Sequence, residues 1–194
     1  MHIKKYKNPW PHFEVNTFLN KQQLKVIKEY TNYYVTKNKK NIDLYRRFIT
    51  PVSKNNTVYS ILYENFKNLL KITFNLDIHK FYFETSLSIC TSNFDEHHIH
   101  TDVPTKKISG IFFLSKEGNG TELYKSESED SLKKNIAWKP NKLFLFKRTD
   151  YSWHNFNSIG NEDYRIVYNL NLNKILCTTA GGIFLKKTNI VMEN

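Results

Sequence analysis

The chain has 194 residues with a formal net charge of +11, of which 15% are aromatic, and it contains six glycines and five prolines. This length suffices for one domain with a well-buried core, and the low glycine and proline contents argue against a disordered or repetitive chain. The opening MHIKKYKNPW lacks the apolar run of a signal peptide, and no segment is as long as a membrane span. With only two cysteines, a disulfide scaffold is not indicated, and we expect a single cytoplasmic domain over residues 1–194.

The positive charge leaves a nucleic-acid partner open, because phosphate backbones attract basic surfaces. The lysines, however, occur as dispersed pairs, for example at 39–40, 106–107 and 186–187, and not as one block. The abundance of Lys, Asn, Ile, Phe and Tyr is equally typical of a low-GC genome, such as that of a bacterium or phage. A polyanion partner is therefore the less favoured alternative.

The first 78 residues show the pattern of a helical support. Residues 8–19 hold two prolines among aromatic residues and predict a short capped strand. Asn20 is a suitable N-cap, because its side chain can accept a hydrogen bond from the first turn of a helix. The apolar spacing that follows predicts a helix to about Tyr34.

The polar segment 37–50 predicts a loop that contains a short strand at 44–49. Asn56 or Thr57 then opens a second helix, whose apolar residues are spaced three and four apart as far as Leu70.

From residue 79 to residue 173 the apolar period changes to two, which is typical of strands. Eight short aromatic and β-branched segments follow one another: FYFETSLSICTS, IHTD, ISGIFFLS, TELYKS, KNIAWK, KLFLFK, WHNFNS and RIVYNLNL. Residues 118–120 and 140–141 are turn signals between them. The pattern predicts a β-dominated α+β fold, a double-stranded β-helix (a cupin-like jelly roll). The tail, residues 174–194, is less regular and predicts one further strand at 182–191.

The stretch FDEHHIHTD contains His100 and Asp102, which are two residues apart. In an extended segment this spacing puts both side chains on one face. An imidazole and a carboxylate on one face are two ligands of the 2-His-1-carboxylate site that suits non-haem Fe(II). His154, in the distant segment YSWHNF, is the candidate third ligand. His97 and His98 compete for the first position, but neither precedes a carboxylate by two residues; a hydrogen-bonded turn is the alternative for the triplet.

Arg165 opens the apolar strand RIVYNLNL, eleven residues after His154. A buried guanidinium is costly unless an anion meets it, and it binds a carboxylate through two parallel hydrogen bonds. Arg165 is therefore a candidate anchor for a dicarboxylate cosubstrate. An exposed charge at the end of a strand is the alternative.

In this order and context, the segments resemble the 2-oxoglutarate- and Fe(II)-dependent oxygenases, specifically their prolyl-hydroxylase-like branch. The similar segments cover most of the chain: NPWPHFEVNTFL, HTDVPTKKISGIFFLS, GNGTELY and WKPNKLFLF. The resemblance implies that His100, Asp102 and His154 hold Fe(II), and that 2-oxoglutarate chelates the iron with its far carboxylate on Arg165. It also implies that O2 is used to hydroxylate a substrate C–H bond, with release of succinate and carbon dioxide.

The resemblance makes a protein or peptide the expected substrate, with proline the first residue to test. A nucleic-acid or free amino acid oxygenase of the same superfamily is one alternative. A non-catalytic, cupin-like module that binds a metal or a sugar is an alternative from another class.

Weaker expectations concern the rest of the cosubstrate pocket. Asn169 should share the inward face of its strand with Arg165 and could donate a hydrogen bond to 2-oxoglutarate. A carboxylate-binding tyrosine of some relatives falls here at Phe113, which cannot form that bond. Tyr124 or Tyr82 is then the candidate to supply a hydroxyl from another strand. Packing in the core is the alternative for each of these side chains.

Overall fold

The computed structural model describes residues 2–92, 94, 98–115, 118–160, 164–174, 178–180 and 183–185. Two helices and twelve strands occur within these residues: β1 (His2–Tyr6), β2 (His12–Asn16), α1 (Lys21–Tyr45), β3 (Arg47–Pro51), α2 (Thr57–Phe74), β4 (Tyr82–Thr91), β5 (Lys106–Phe113), β6 (Gly118–Tyr124), β7 (Leu132–Trp138), β8 (Lys142–Lys147), β9 (His154–Gly160), β10 (Tyr164–Asn173), β11 (Thr178–Ala180) and β12 (Ile183–Leu185). Short 3-10 turns occur at Ile78–Lys80 and Glu129–Ser131.

The strands form two main antiparallel sheets. The larger has the order β1-β2-β8-β5-β10-β4-β3, and the smaller has the order β7-β6-β9. An isolated bridge between His100 and His154 adds the His-x-Asp segment to the edge of the smaller sheet. The eight predicted segments from β4 to β10 thus divide between two sheets as in a double-stranded β-helix, and the predicted fold class is confirmed.

Helix α1 begins as the sequence predicts but ends later. The Asn20 side chain accepts a hydrogen bond from the Gln23 backbone amide at 2.9 Å, and the Gln23 side chain accepts one from the Asn20 backbone amide at 3.2 Å. The helix continues to Tyr45, so the predicted end at Tyr34 and the loop predicted from residue 37 are wrong, whereas the short strand predicted at 44–49 is present as β3 at Arg47–Pro51. The reason is one apolar residue, Ile42, which is fully buried and holds this polar segment against the core.

Helix α2 begins after Asn56, whose side chain accepts a hydrogen bond from the Val58 amide at 2.8 Å. Its apolar stripe packs with α1 on the outer face of the larger sheet, where it meets Phe112 and Leu170. A second apolar cluster fills the space between the two sheets: Trp10, Phe113, Leu123, Ile136, Trp138, Phe144, Phe146 and Val167. The larger sheet is therefore covered on both faces.

The alternation of side chains along β10 separates these two clusters. Tyr168 and Leu170 point to the helices, while Arg165, Val167 and Asn169 point between the sheets. The inward face of β10 is thus polar at several positions, and these polar positions line the candidate site.

Smaller differences occur at the turns and at the C-terminal end. Gly118 and Gly120 lie inside β6, at a register irregularity, so the predicted turn at 118–120 is wrong. The turn at 140–141 is confirmed, with Asn141 in the left-handed region at φ 66°. Within the strand predicted at 182–191, residues 183–185 form β12, which pairs with the unpredicted β11, while 182 and 186–191 lie outside the described residues. Neither helix is long and apolar enough to cross a membrane, within the part of the chain described here.

Candidate metal and cosubstrate site

The structure brings His100, Asp102 and His154 together. Their possible ligand atoms all lie within 4.8 Å of one another. The two histidines sit opposite each other across the sheet edge, where the His100 amide donates to the His154 carbonyl at 3.0 Å and the His154 amide to the His100 carbonyl at 2.9 Å. Asp102 and His154 are buried, whereas His100 is exposed. This is the donor set of a 2-His-1-carboxylate metal centre.

Backbone carbonyls select the tautomer of both imidazoles. His100 Nδ1 lies 2.9 Å from the His98 carbonyl, and His154 Nδ1 lies 2.9 Å from the Ser152 carbonyl. Because a carbonyl oxygen can only accept, Nδ1 carries the proton in the neutral form of each imidazole, and the lone pair of Nε2 then points away from this carbonyl. Burial lowers the pKa of His154 to about 4 against the opposing attraction of Asp102, so this imidazole is neutral at pH 7 and ready to bind a metal.

Two side chains hold the Asp102 carboxylate. Lys106 Nζ donates to Oδ1 at 2.5 Å, and the Ser109 hydroxyl donates to Oδ2. Burial by itself would raise the pKa of Asp102, but the attraction of Lys106 and His154 and these hydrogen bonds outweigh it and hold the pKa well below its usual range. The buried carboxylate is therefore ionised and fixed in orientation.

A cavity of about 460 Å³ adjoins these three residues and is lined by strands of both sheets. Arg47, Lys106 and Arg165 also line it, and Asp102 is the one acidic side chain among its described lining residues. The cavity therefore carries an excess of positive charge, which favours anionic ligands.

Arg165 is a buried cation without an anionic partner among the residues described. It is 3% exposed, and its Nε makes no hydrogen bond. Its guanidinium carbon lies 4.1 Å from the ring centroid of Phe156 and 5.6 Å from that of Trp138. Burial lowers the pKa of Arg165 to about 10, so it still carries its charge at pH 7. A buried cation held only by aromatic faces indicates a place for an anion.

Neither a family model nor a curated protein sequence matches this chain. Solved structures do match its fold. A prolyl-4-hydroxylase from Pseudomonas putida is 11% identical with a TM-score of 0.59, over 84% of this chain and 92% of that one. A Trichoplax adhaerens prolyl hydroxylase, in complex with a hypoxia inducible factor peptide fragment, is 14% identical with a TM-score of 0.60, over 84% and 83%. HygX from Streptomyces hygroscopicus, with nickel and 2-oxoglutarate bound, is 9% identical with a TM-score of 0.56, over 86% and 84%. The fold is that of the 2-oxoglutarate/Fe(II) oxygenases.

Of the other predicted site residues, one lines the cavity and two do not. Asn169 lines the cavity and donates a hydrogen bond to Ser86 Oγ at 3.3 Å. Tyr124 lies outside the cavity, because the period of two along β6 puts it on the outer face with Glu122, to which its hydroxyl donates at 2.7 Å. Tyr82 lines a different hollow. The structure therefore brings neither tyrosine to Arg165.

One of the hydroxyls that line the cavity belongs to Thr121, which was not predicted from the sequence. Thr121 is fully buried on the inward face of β6, and its Oγ1 has no hydrogen-bond partner among the described residues. The signal was present in the segment TELY, where the alternation that turns Glu122 outward turns Thr121 inward.

Arg47, Lys106 and Ser109 were missed as well. Ser109 and Lys106 follow the His-x-Asp segment closely, and the period of two along β5 could have predicted an inward Ser109. Arg47 could not be predicted, because only the pairing of β3 with β4 brings it to the cavity.

Proposed function

We propose that this protein is an Fe(II)- and 2-oxoglutarate-dependent dioxygenase that hydroxylates a C–H bond. We further propose a protein or peptide as its substrate, with a prolyl residue the first to test. The observation that carries the proposal is that one cavity is lined by a His-Asp-His cluster and by a buried arginine with no anionic partner among the described residues.

The three ligands fit Fe(II) in number, type and protonation state. Both imidazoles offer Nε2, and the Asp102 carboxylate is ionised. An incoming Fe(II) would compete with the Lys106 ammonium for one carboxylate oxygen, while Ser109 holds the other. Three protein ligands leave room in the metal's coordination sphere for further ligands.

Arg165 and Thr121, which line the same cavity, fit the far carboxylate of 2-oxoglutarate. Arg165 supplies a guanidinium that can bind a carboxylate through two hydrogen bonds, and Thr121 supplies an unused hydroxyl. Aromatic rings surround Arg165 and exclude water from it. The attraction between its guanidinium and the carboxylate of 2-oxoglutarate would therefore be stronger than in solvent.

Bound Fe(II) and 2-oxoglutarate supply the activation of O2 that hydroxylates the substrate, with succinate and carbon dioxide released. The chain's own residues orient the cosubstrate and shield the reacting centre. Arg165 is central to the choice between functions, because a module that only binds a metal or a sugar has no use for a buried, unpaired guanidinium.

A hollow next to the cavity supports the peptide substrate. It has a volume of about 490 Å³, and it shares Ser86 and Asn171 with the cavity. Its walls include Tyr59, Tyr63 and Phe83. Aromatic grooves of this kind bind proline-containing peptides, since the ring of proline packs flat against them.

The decisive experiment is an anaerobic titration of the protein with Fe(II) and 2-oxoglutarate, followed by visible spectroscopy. We expect a metal-to-ligand charge-transfer band in the wild type, its loss in His154→Ala, and its retention in the matched control His2→Ala on exposed β1. Succinate release with prolyl peptides then tests the substrate. A flat wild-type spectrum would favour the non-catalytic module.

A further inference from the structure

Arg47 is a second arginine that faces the cavity from the edge of the larger sheet. In the register of the strands, Arg47 pairs with Cys90 on β4, and Cys90 pairs with Arg165 on β10. The two arginines therefore lie in one cross-strand row, two strands and roughly 10 Å apart along the sheet. Arg47 is partly buried, and its Nε is fully buried with no hydrogen-bond partner in the part of the chain that the structure describes.

Two stacked rings stand between the guanidiniums. The Arg47 guanidinium carbon lies 5.6 Å from the Phe94 ring centroid, and that of Arg165 lies 4.1 Å from the Phe156 ring centroid. Phe94 and Phe156 stack on each other with their centroids 6.2 Å apart. Each arginine thus has its own aromatic face, which favours separate anions over one shared carboxylate.

No acidic group in the described lining neutralises Arg47. Cys90, which lies between the arginines, does not neutralise Arg47 either, because burial raises the pKa of its thiol and keeps it uncharged. Fe(II) and 2-oxoglutarate carry equal and opposite charges, so together they leave the excess of cationic over acidic lining residues unchanged. Three cationic lining residues against one acidic residue leave an excess of two positive charges. Lys106 is paired with Asp102, and Arg165 is assigned to 2-oxoglutarate, so Arg47 remains for the prime substrate.

Resting on the proposed function, we propose that Arg47 binds a carboxylate of the prime substrate. The substrate is then an acidic one: either a free amino acid, through its own carboxylate, or a peptide with an acidic residue beside the hydroxylated position. A guanidinium matches a carboxylate with two parallel hydrogen bonds.

The surroundings of the cavity favour a single carboxylate over a polyanion. A shallow hollow that shares His98 and Asn155 with the cavity carries Glu122, Glu127 and Glu129. These carboxylates would repel a phosphate backbone that approached from this side.

The test uses full-length protein loaded with Ni(II), which blocks turnover, and saturating 2-oxoglutarate. Two matched pairs of probes are titrated: L-proline against L-prolinamide, and the capped tripeptide Glu-Pro-Glu against Gln-Pro-Gln. We expect the carboxylate member of one pair to bind about tenfold more tightly than its amide. The pair that shows the preference distinguishes a free amino acid from an acidic peptide.

The variants assign this preference to Arg47. Arg47→Gln should abolish it without changing 2-oxoglutarate affinity, whereas Arg165→Gln should weaken 2-oxoglutarate binding. Arg46→Gln, which removes the same charge from an exposed neighbour, should leave both unchanged.

Three results would overturn the proposal. These are equal binding of the carboxylate and amide probes, a preference that survives Arg47→Gln, and a loss of 2-oxoglutarate affinity in Arg47→Gln as large as in Arg165→Gln. Tighter, Arg47-dependent binding of an oligonucleotide would reassign the site to phosphate. The proposed function fails separately if the wild type does not bind 2-oxoglutarate. In that case the probes are titrated without 2-oxoglutarate.

Discussion

Replacing Arg165 by methionine should have opposite effects on stability and on cosubstrate binding. The arginine is a buried cation without an anionic partner in the described part of the chain, so it opposes folding while it prepares the site for an anion. Methionine has a similar length, carries no charge and packs well against aromatic rings such as Phe156 and Trp138.

The size of the effect follows from the pKa of Arg165. Burial lowers it from the ordinary value of 12.5 to about 10. At about 1.4 kcal/mol per pKa unit, keeping the charge in this cavity costs roughly 3 kcal/mol. The favourable contacts of the guanidinium with aromatic faces are lost in the variant and offset part of this gain. We expect Arg165→Met to raise the free energy of unfolding by about 1–3 kcal/mol, which is several degrees in Tm for a chain of this size.

The assay has two parts. Urea unfolding in the presence of a chelator compares the variant with the wild type when no metal or cosubstrate is bound. Thermal unfolding with Ni(II) then measures the shift on adding 2-oxoglutarate, which for the wild type at 100 times Kd corresponds to about 2.7 kcal/mol. The variant should show no such shift. Arg46→Met, at an exposed position, is the matched control and should change neither quantity.

Two results would refute this reasoning. If Arg165→Met unfolds more easily than the wild type without ligand, the guanidinium stabilises the fold and is not an unpaired charge. If the variant keeps the full response to 2-oxoglutarate, the far carboxylate of the cosubstrate binds elsewhere.

Three further variants test the metal ligands and the barrel. Asp102→Ala should abolish succinate release while circular dichroism stays native; full activity would exclude Asp102 as a ligand. Ser109→Ala removes the hydrogen bond to Asp102 Oδ2 and should weaken metal binding about 10- to 100-fold in a competitive chelator titration, with rescue by Ser109→Thr; unchanged affinity would contradict the positioning role. Glu14 pairs with Lys134 and Lys142 at 2.6 and 2.7 Å. Burial would raise its pKa, but the two lysines outweigh burial and lower it. The stabilisation is therefore complete above pH 4.5 and is lost as the pH falls through the lower folded pKa. Glu14→Gln should lower the free energy of unfolding by about 3 kcal/mol at pH 7, and a difference from the wild type that did not shrink in acid would refute the ion-pair explanation.

Local chemistry made much of the fold predictable. The strands from β4 to β10 follow from the period of two, because alternate side chains must enter a core on one face. The starts of both helices follow from Asn20 and Asn56, whose side chains satisfy amides of the first turn. Two of the candidate metal ligands, His100 and Asp102, follow from the His-x-Asp spacing, which requires only an extended chain.

The tertiary structure decided what depends on residues far apart in the chain. The last third of α1 is helical because Ile42 reaches the core, a contact that the polar sequence around it does not predict. Thr121, and not Tyr124, lines the cavity with Arg165; the alternation along β6 separates these two positions, but the pairing of β6 with β7 and β9 decides which face turns inward. Arg47 enters the cavity only because β3 pairs with β4 at a register that aligns it with Cys90. The sequence by itself thus predicted the repeating elements and the candidate pair His100 and Asp102, since both follow from local periodicity. Strand register, which no local pattern specifies, decided which charged side chains line the cavity next to these residues.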